Sequence, residues 1–132
     1  PEHPQVATSL NKLAELLRAT ADLAKARPLY ERALRIRQRA LGPEHPLVAT
    51  SLSNLAELLQ ATGDLTGAES LYERALRIRQ RALGPEHLDV AKTMENYAAL
   101  LRQMQRKSEA VELETRAKAI RSKHARKFNS TH

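Results

Sequence analysis

A 42-residue unit is written twice in the first 84 residues of this chain and begins a third time at Pro85. Pro1-Glu2-His3-Pro4 returns as Pro43-Glu44-His45-Pro46 and, with the last proline replaced, as Pro85-Glu86-His87-Leu88. Leu29 to Gly42 matches Leu71 to Gly84 letter for letter, and the first two units differ at nine positions in all. A period of this size marks a linear array. One unit cannot bury its own apolar face, so each must cover its neighbour's. Such a surface suits binding better than catalysis.

Each unit reads as two helices. Val6, Leu10, Leu13, Ala14 and Leu17 recur at three- and four-residue steps, which puts them on one helix face. Thr20-Ala21-Asp22 and Thr62-Gly63-Asp64 interrupt the pattern; Gly63 suits the left-handed end of a helix and Asp64 the cap of the next. The second helix is expected to carry Leu23, Ala26, Leu29, Tyr30, Ala33, Ile36, Ala40 and Leu41 inward, with arginines outside. Gly42-Pro43 and Gly84-Pro85 stop it. Pro28, inside this helix, removes an amide donor and predicts a local bend or a late start.

The units set boundaries at 1–42, 43–84 and 85–126, followed by a basic C-terminal tail over 127–132. The third unit diverges: Tyr97 replaces a leucine, Glu114 stands where Tyr30 and Tyr72 stood, and Arg106-Lys107 replaces Asp-Leu. Its last helix, expected from about Ser108 to about Arg126, is dense in charge, as the cap of an array must be. Phe128 to His132 is expected to fray.

The leucines, alanines and tyrosines of these positions carry a family resemblance. Leu10, Leu13, Ala14 and Leu17, followed by Ala26, Tyr30 and Ala33, resemble the tetratricopeptide (TPR) signature. It recurs at Leu52, Leu55, Ala56, Leu59, Ala68, Tyr72 and Ala75, and again at Met94, Tyr97, Ala98, Leu101, Ala110 and Ala117, with Glu114 off pattern. The long unit and its Gly-Pro-Glu-His-Pro junction resemble the kinesin-light-chain type, common in bacterial arrays. The resemblance implies an all-α fold: a right-handed α-solenoid of three helix–turn–helix repeats whose first helices line a concave groove for peptide segments of a protein partner.

By that register the groove of the first repeat shows Thr8, Asn11, Lys12, Glu15 and Arg18. The second shows Thr50, Ser53, Asn54, Glu57 and Gln60, and the third Lys92, Glu95, Asn96, Ala99, Arg102 and Gln103. Asparagine amides can hold a peptide backbone, and the cations can meet carboxylates. Three of the nine differences between the first two units, Asn11/Ser53, Lys12/Asn54 and Arg18/Gln60, fall on this face.

Composition narrows the alternatives. With no cysteine, disulfides, thiolate metal sites and cysteine nucleophiles are excluded, which fits a cytoplasmic protein. No apolar run approaches the ~18 residues a membrane span needs. No glycine-rich phosphate loop, nucleophile elbow or carboxylate pair suggests an enzyme, and no cofactor is expected. His3, His45 and His87 lie a repeat apart, near 10 Å per packed helix layer, whereas zinc ligands sit about 2 Å from one ion. A net charge of +7 raises nucleic acid as a partner, through Arg32, Arg35, Arg39, Arg74, Arg77 and Arg81. Against it, aromatics are 3% of the chain, too few to stack on bases, and Glu31 and Glu73 can pair with Arg35 and Arg77.

The start at Pro1, without Met and at a repeat boundary, suggests a piece of a longer protein. The leading face of the first helix, with Val6, Leu10, Leu13 and Leu17, is then expected to be open and to favour homo-oligomers by end-to-end stacking.

Overall fold

The computed structural model describes residues 3–130. Six helices follow one another: α1 (Pro4–Ala19), α2 (Leu23–Leu41), α3 (Pro46–Ala61), α4 (Leu65–Leu83), α5 (Leu88–Gln103) and α6 (Lys107–Ser130). Among the described residues there is no strand. The helices pack as pairs, α1 on α2, α3 on α4 and α5 on α6, and successive pairs meet through α2 on α3 and α4 on α5. The fold is an all-α helical repeat.

The junction residues start each first helix. The Nδ1 atoms of His3, His45 and His87 accept hydrogen bonds from the amides of Gln5, Leu47 and Asp89 at 3.1, 3.0 and 3.0 Å. Each imidazole thus satisfies one of the four amides a helix start leaves unpaired. Pro4 and Pro46 occupy the first turn, where no donor is required. The histidines are caps by geometry.

Asp22 and Asp64 cap the second helices by accepting from the amides of Lys25 and Gly67, at 3.4 and 3.0 Å. The difference has a steric cause. A Cβ at Gly67 would meet Asp64 Oδ2 at 2.6 Å, so a residue with a side chain, such as Lys25, holds its aspartate further off. Pro28 does not delay α2, which starts at Leu23 as α4 starts at Leu65. The carbonyl of Ala24, which the missing amide would have met, belongs to an exposed residue that water can serve. In the third unit α6 runs from Lys107 to Ser130, longer than the expected span from about Ser108 to about Arg126. Phe128 to Ser130 are helical and Thr131 and His132 lie outside the described residues.

Small residues sit where paired helices cross. Ala14 and Ala26, Ala56 and Ala68, and Ala98 and Ala110 are all fully buried. Leu52, Leu58, Met94 and Leu100 fill the space between pairs, each contributing roughly 1.5–3 kcal/mol by leaving water. The tyrosines Tyr72 and Tyr97 stack across the α4–α5 junction with ring centroids 6.2 Å apart. Glu114 of α6 stands at the register of Tyr72 and meets Arg102 instead.

The two ends differ. Val48, Leu55 and Leu58 of α3 are 0, 6 and 0% exposed, whereas their counterparts Val6, Leu13 and Leu16 of α1 are 38, 48 and 62% exposed. Leu10 and Leu17, expected on that open face, are half-buried instead.

Candidate functional site

The first helices of the three pairs lie side by side and bond to one another. Arg18 of α1 donates to Glu57 of α3 at 2.9 Å, and Gln60 of α3 donates to Gln103 of α5 at 2.9 Å. These contacts make α1, α3 and α5 one continuous layer, and every residue assigned to the groove from the sequence lies on it.

Within the layer those residues separate into three groups. Asn11 and Ser53 are buried. The Asn11 Oδ1 atom has no hydrogen-bond partner, and Ser53 Oγ accepts from Arg79 at 3.5 Å. Their side chains belong to the packing between helices more than to an open surface. A second group is spent on internal ion pairs and amide bonds. Besides Arg18–Glu57 and Gln60–Gln103, Arg121 of α6 grips both oxygens of Glu95 at 2.7 Å, and Arg102 grips Glu114 at 2.7 and 2.6 Å. The Arg121 guanidinium beside Glu95 holds that carboxyl below its ordinary range, and Arg102 does the same to Glu114.

The third group is unspent. Lys12, Asn54 and Asn96 stand at one register, 42 residues apart, and none has a side-chain partner among the described residues. Lys12 is exposed, and Asn54 and Asn96 are half-buried. Lys92, one turn earlier on α5, is also exposed and unpartnered. Glu15 is exposed close enough to Tyr30 to help raise its hydroxyl's pKa, an effect led by burial.

The layer also contains residues that the sequence placed elsewhere. Arg37 of α2 is buried: it lies off the face that carries Arg32, Arg35 and Arg39, and the general expectation of arginines outside does not hold for it. Its guanidinium reaches between α1 and α3, donating to Ser51 Oγ at 2.9 Å, the Leu47 carbonyl at 3.4 Å and Thr8 Oγ1 at 3.4 Å. Arg79 repeats this one unit on, donating to Thr93 Oγ1 at 2.6 Å, Thr50 Oγ1 at 3.2 Å and Ser53. Burial lowers the pKa of both arginines. The signal was in the spacing: Ala26, Tyr30, Ala33 and Arg37 continue one inward stripe at steps of four, three and four. The glutamates expected to neutralise the outer arginines are engaged elsewhere. Glu31 pairs with Arg27 at 3.5 Å, and Glu73 accepts the Tyr97 hydroxyl at 2.9 Å.

A second network closes the α4–α5 junction. The Tyr97 hydroxyl lies 2.9 Å from both Glu69 and Glu73, and Arg106 joins Glu69 at 2.7 Å to Glu109 at 2.6 Å. Burial first, then the two carboxylates, push the Tyr97 pKa well above its usual value, so its proton stays bound and serves as donor. Among the described residues no group of three metal-binding side chains comes together, and no helix is long and apolar enough to cross a membrane.

The tetratricopeptide repeat model matches residues 5–79 and again 48–123, so the two matches span nearly the whole array. The chain belongs to the tetratricopeptide repeat family. Its TPR helices superpose on BtubC (BKLC) from P. vanneervenii with a TM-score of 0.85 and 31% identity, over 91% of this chain and 48% of that one. A Podosopora anserina protein described as kinesin-light-chain-like, with nearly identical TPR-like repeats, gives 0.84 and 29%, over 94% and 59%. The chain therefore spans about half the length of these kinesin-light-chain-type relatives. The N-terminal domain of stress-induced protein-1 from C. elegans, at 17% identity and a TM-score of 0.70, shares the fold. No curated protein sequence matches the chain. TPR repeats generally mediate protein–protein interaction and typically form scaffolds without catalysis.

Proposed function

We propose that the layer of α1, α3 and α5 holds a peptide segment of a cytoplasmic protein partner, and that the chain acts as a non-catalytic scaffold. One observation carries this reading. Lys12, Asn54 and Asn96 recur at the same register of three successive helices and are left without partners among the described residues, whereas Arg18, Glu57, Gln60, Glu95, Arg102 and Gln103 around them are engaged internally. A row of unspent amides and an ammonium, spaced by one repeat, suits an extended main chain: Asn54 and Asn96 can each donate to a carbonyl and accept from an amide. Lys12 and Lys92 add attraction for carboxylates on the segment. Because the layer is already fixed by Arg18–Glu57 and Gln60–Gln103, little ordering would be lost on binding.

A phosphate backbone as partner has less support. Arg37 and Arg79 are turned inward, Arg102 and Arg121 are gripped by carboxylates, and the few aromatics are buried or at the far end of α6. The deciding experiment is partner capture from native lysate with the wild-type chain and with Lys12→Ala/Asn54→Ala/Asn96→Ala. The captured partners are then measured for affinity against both proteins. The triple variant touches no internal contact, so its melting point should stay put while affinity falls about tenfold or more. Equal affinity for both proteins would remove the assignment.

A further inference from the structure

Between α5, α6 and the junction that starts the third unit lies a cavity of about 240 Å3, lined by Pro85, Glu86, Met94, Arg116, Ala119 and Ile120. Met94 and Ile120 are buried and form its floor, whereas Pro85, Glu86, Arg116 and Ala119 are exposed and form its rim. The same six registers recur in the first two units, and two of them carry different residues there. Ala119 stands where Arg35 and Arg77 stand, and Met94 where Leu10 and Leu52 stand. The third unit thus shortens a rim residue by a whole guanidinium arm. It also gives the floor an unbranched, flexible side chain that adapts to what it touches.

The two charges on the rim are in different states. Glu86 is engaged: Lys123 lies 3.5 Å from its carboxylate, and His124 Nε2 donates to its carbonyl at 2.7 Å. These contacts pin the junction to α6, so the wall at Pro85 and Glu86 is set before anything binds. Arg116 has no side-chain partner among the described residues. The unspent charge is therefore one guanidinium above an apolar floor. A planar carboxylate matches its fork of donors, whereas the second charge of a phosphate would meet Glu86. An apolar cavity of about 150 Å3 holds benzene, so this larger one has room for a ring or a branched chain.

We propose that this cavity binds a carboxylate joined to a compact apolar body, with the apolar part on Met94 and Ile120 and the carboxylate on Arg116. Two sources present that chemistry. One is a free aromatic or branched-chain acid; the other is the C-terminal residue of a partner chain, where carboxylate and side chain leave one carbon. The site is separate from the row at Lys12, Asn54 and Asn96. Met94 and Asn96 are two residues apart on α5, which puts them about 200° apart around the helix. A ligand on Met94 therefore leaves that row open, and the two sites can fail independently.

The test titrates the full chain with phenylacetate and follows the methyl groups of Met94 and Ile120 by NMR. Both should shift together and saturate, with a Kd on the order of 1 mM for so small a ligand. Acetate and phenylacetamide each keep one half of the chemistry and should bind at least about tenfold more weakly. Arg116→Gln should weaken phenylacetate by about tenfold. Ala119→Arg restores the residue of the other two units, so it should abolish the shifts and leave the melting point alone. The tripeptide Ala-Ala-Phe with a free carboxylate tells the sources apart. Tighter binding than phenylacetate assigns the site to a chain terminus, and weaker binding assigns it to a free acid. The proposal is overturned if the methyl groups show no saturable response, if acetate binds as well as phenylacetate, or if Ala119→Arg binds like the unaltered chain.

Discussion

Helices α1 and α3 are nearly the same sequence in different surroundings. Leu16 and Leu58 have identical neighbours from Leu13-Ala14-Glu15 and Leu55-Ala56-Glu57, yet one lies open and the other is sealed. Burial here belongs to the stack and not to the residue. It follows that equal substitutions should have unequal costs. Leu58→Ala empties a closed site between helix pairs and should cost about 2–5 kcal/mol. Leu16→Ala removes a side chain already in water and should stay within about 0.5 kcal/mol. Denaturant titration of both variants checks this. A cost at Leu16 equal to that at Leu58 would show that α1 is covered in solution.

The serines of the same two helices sharpen the contrast. Ser51 is buried and receives the shortest hydrogen bond of Arg37, whereas Ser9 faces water. Ser51→Val should cost about 1–3 kcal/mol, because it leaves a buried guanidinium whose Nε is already unpaired with only its longer contacts. Ser9→Val should be near neutral. Arg37→Met, which removes the charge along with its need for partners, should cost less than Ser51→Val. If the order is reversed, the arginine holds the helix pairs together beyond its desolvation cost, and the reading of a buried charge merely accommodated by hydroxyls fails.

The turns inside the first and second units differ by one residue. Ala21 holds φ at 65° where Gly63 holds it at 90°. A side chain in this left-handed region is strained, and nothing lies within 4 Å of where a Cβ on Gly63 would point, so the strain is in the backbone alone. Ala21→Gly should therefore stabilise by up to about 1 kcal/mol, and Gly63→Ala should destabilise by a similar amount. Thermal melting of the two variants should move in opposite directions. Movement in the same direction would mean that the unfolded chain's freedom outweighs the turn's geometry.

The periodicity of the chain was enough to read the helix pairs and the alanines at their crossings, because each follows from spacing and from the need to cover an apolar stripe. On the face of α1 it marked Val6 and Leu13 but missed Leu16, the most exposed of the three. Spacing put Arg37 and Arg79 on the inward stripe, but that a charge would be buried there was not legible in the same way. Charge normally marks an outer face, and only the hydroxyls of Thr8, Ser51, Thr50 and Thr93, brought close by stacking, make a buried guanidinium tolerable. The candidate groove suffered from the opposite effect. Register alone put sixteen residues on one layer, but whether Arg18, Glu57, Glu95 and Arg102 face a ligand or each other depends on distances between repeats. Lys12, Asn54 and Asn96 stand out only once those pairs are known.

The two ends of the array also differ in how they respond to acid. In the third unit Glu95, Glu109 and Glu114 are held below the ordinary carboxylate range, first by hydrogen bonds from Arg121, Arg106 and Arg102 respectively. A carboxyl whose folded pKa is depressed contributes stability that is present above its unfolded value and is lost as pH falls through the folded one. Acidification below about pH 4.5 should therefore loosen α6 from α5, and to a lesser extent where salt screens these half-exposed pairs. Amide exchange should show α6 losing protection over this window before α2, which is held in the stack by apolar packing and by Arg37 on hydroxyl and carbonyl groups. Glu95→Gln should flatten the α6 profile, because the amide cannot titrate and Arg121 no longer has a carboxylate to grip. This effect is expected to be the smallest of the four, since each pair is open to water at its rim. If α6 keeps its protection down to about pH 3, apolar packing through Leu113, Ala117 and Ile120 holds the cap by itself and the carboxylate pairs only decorate it.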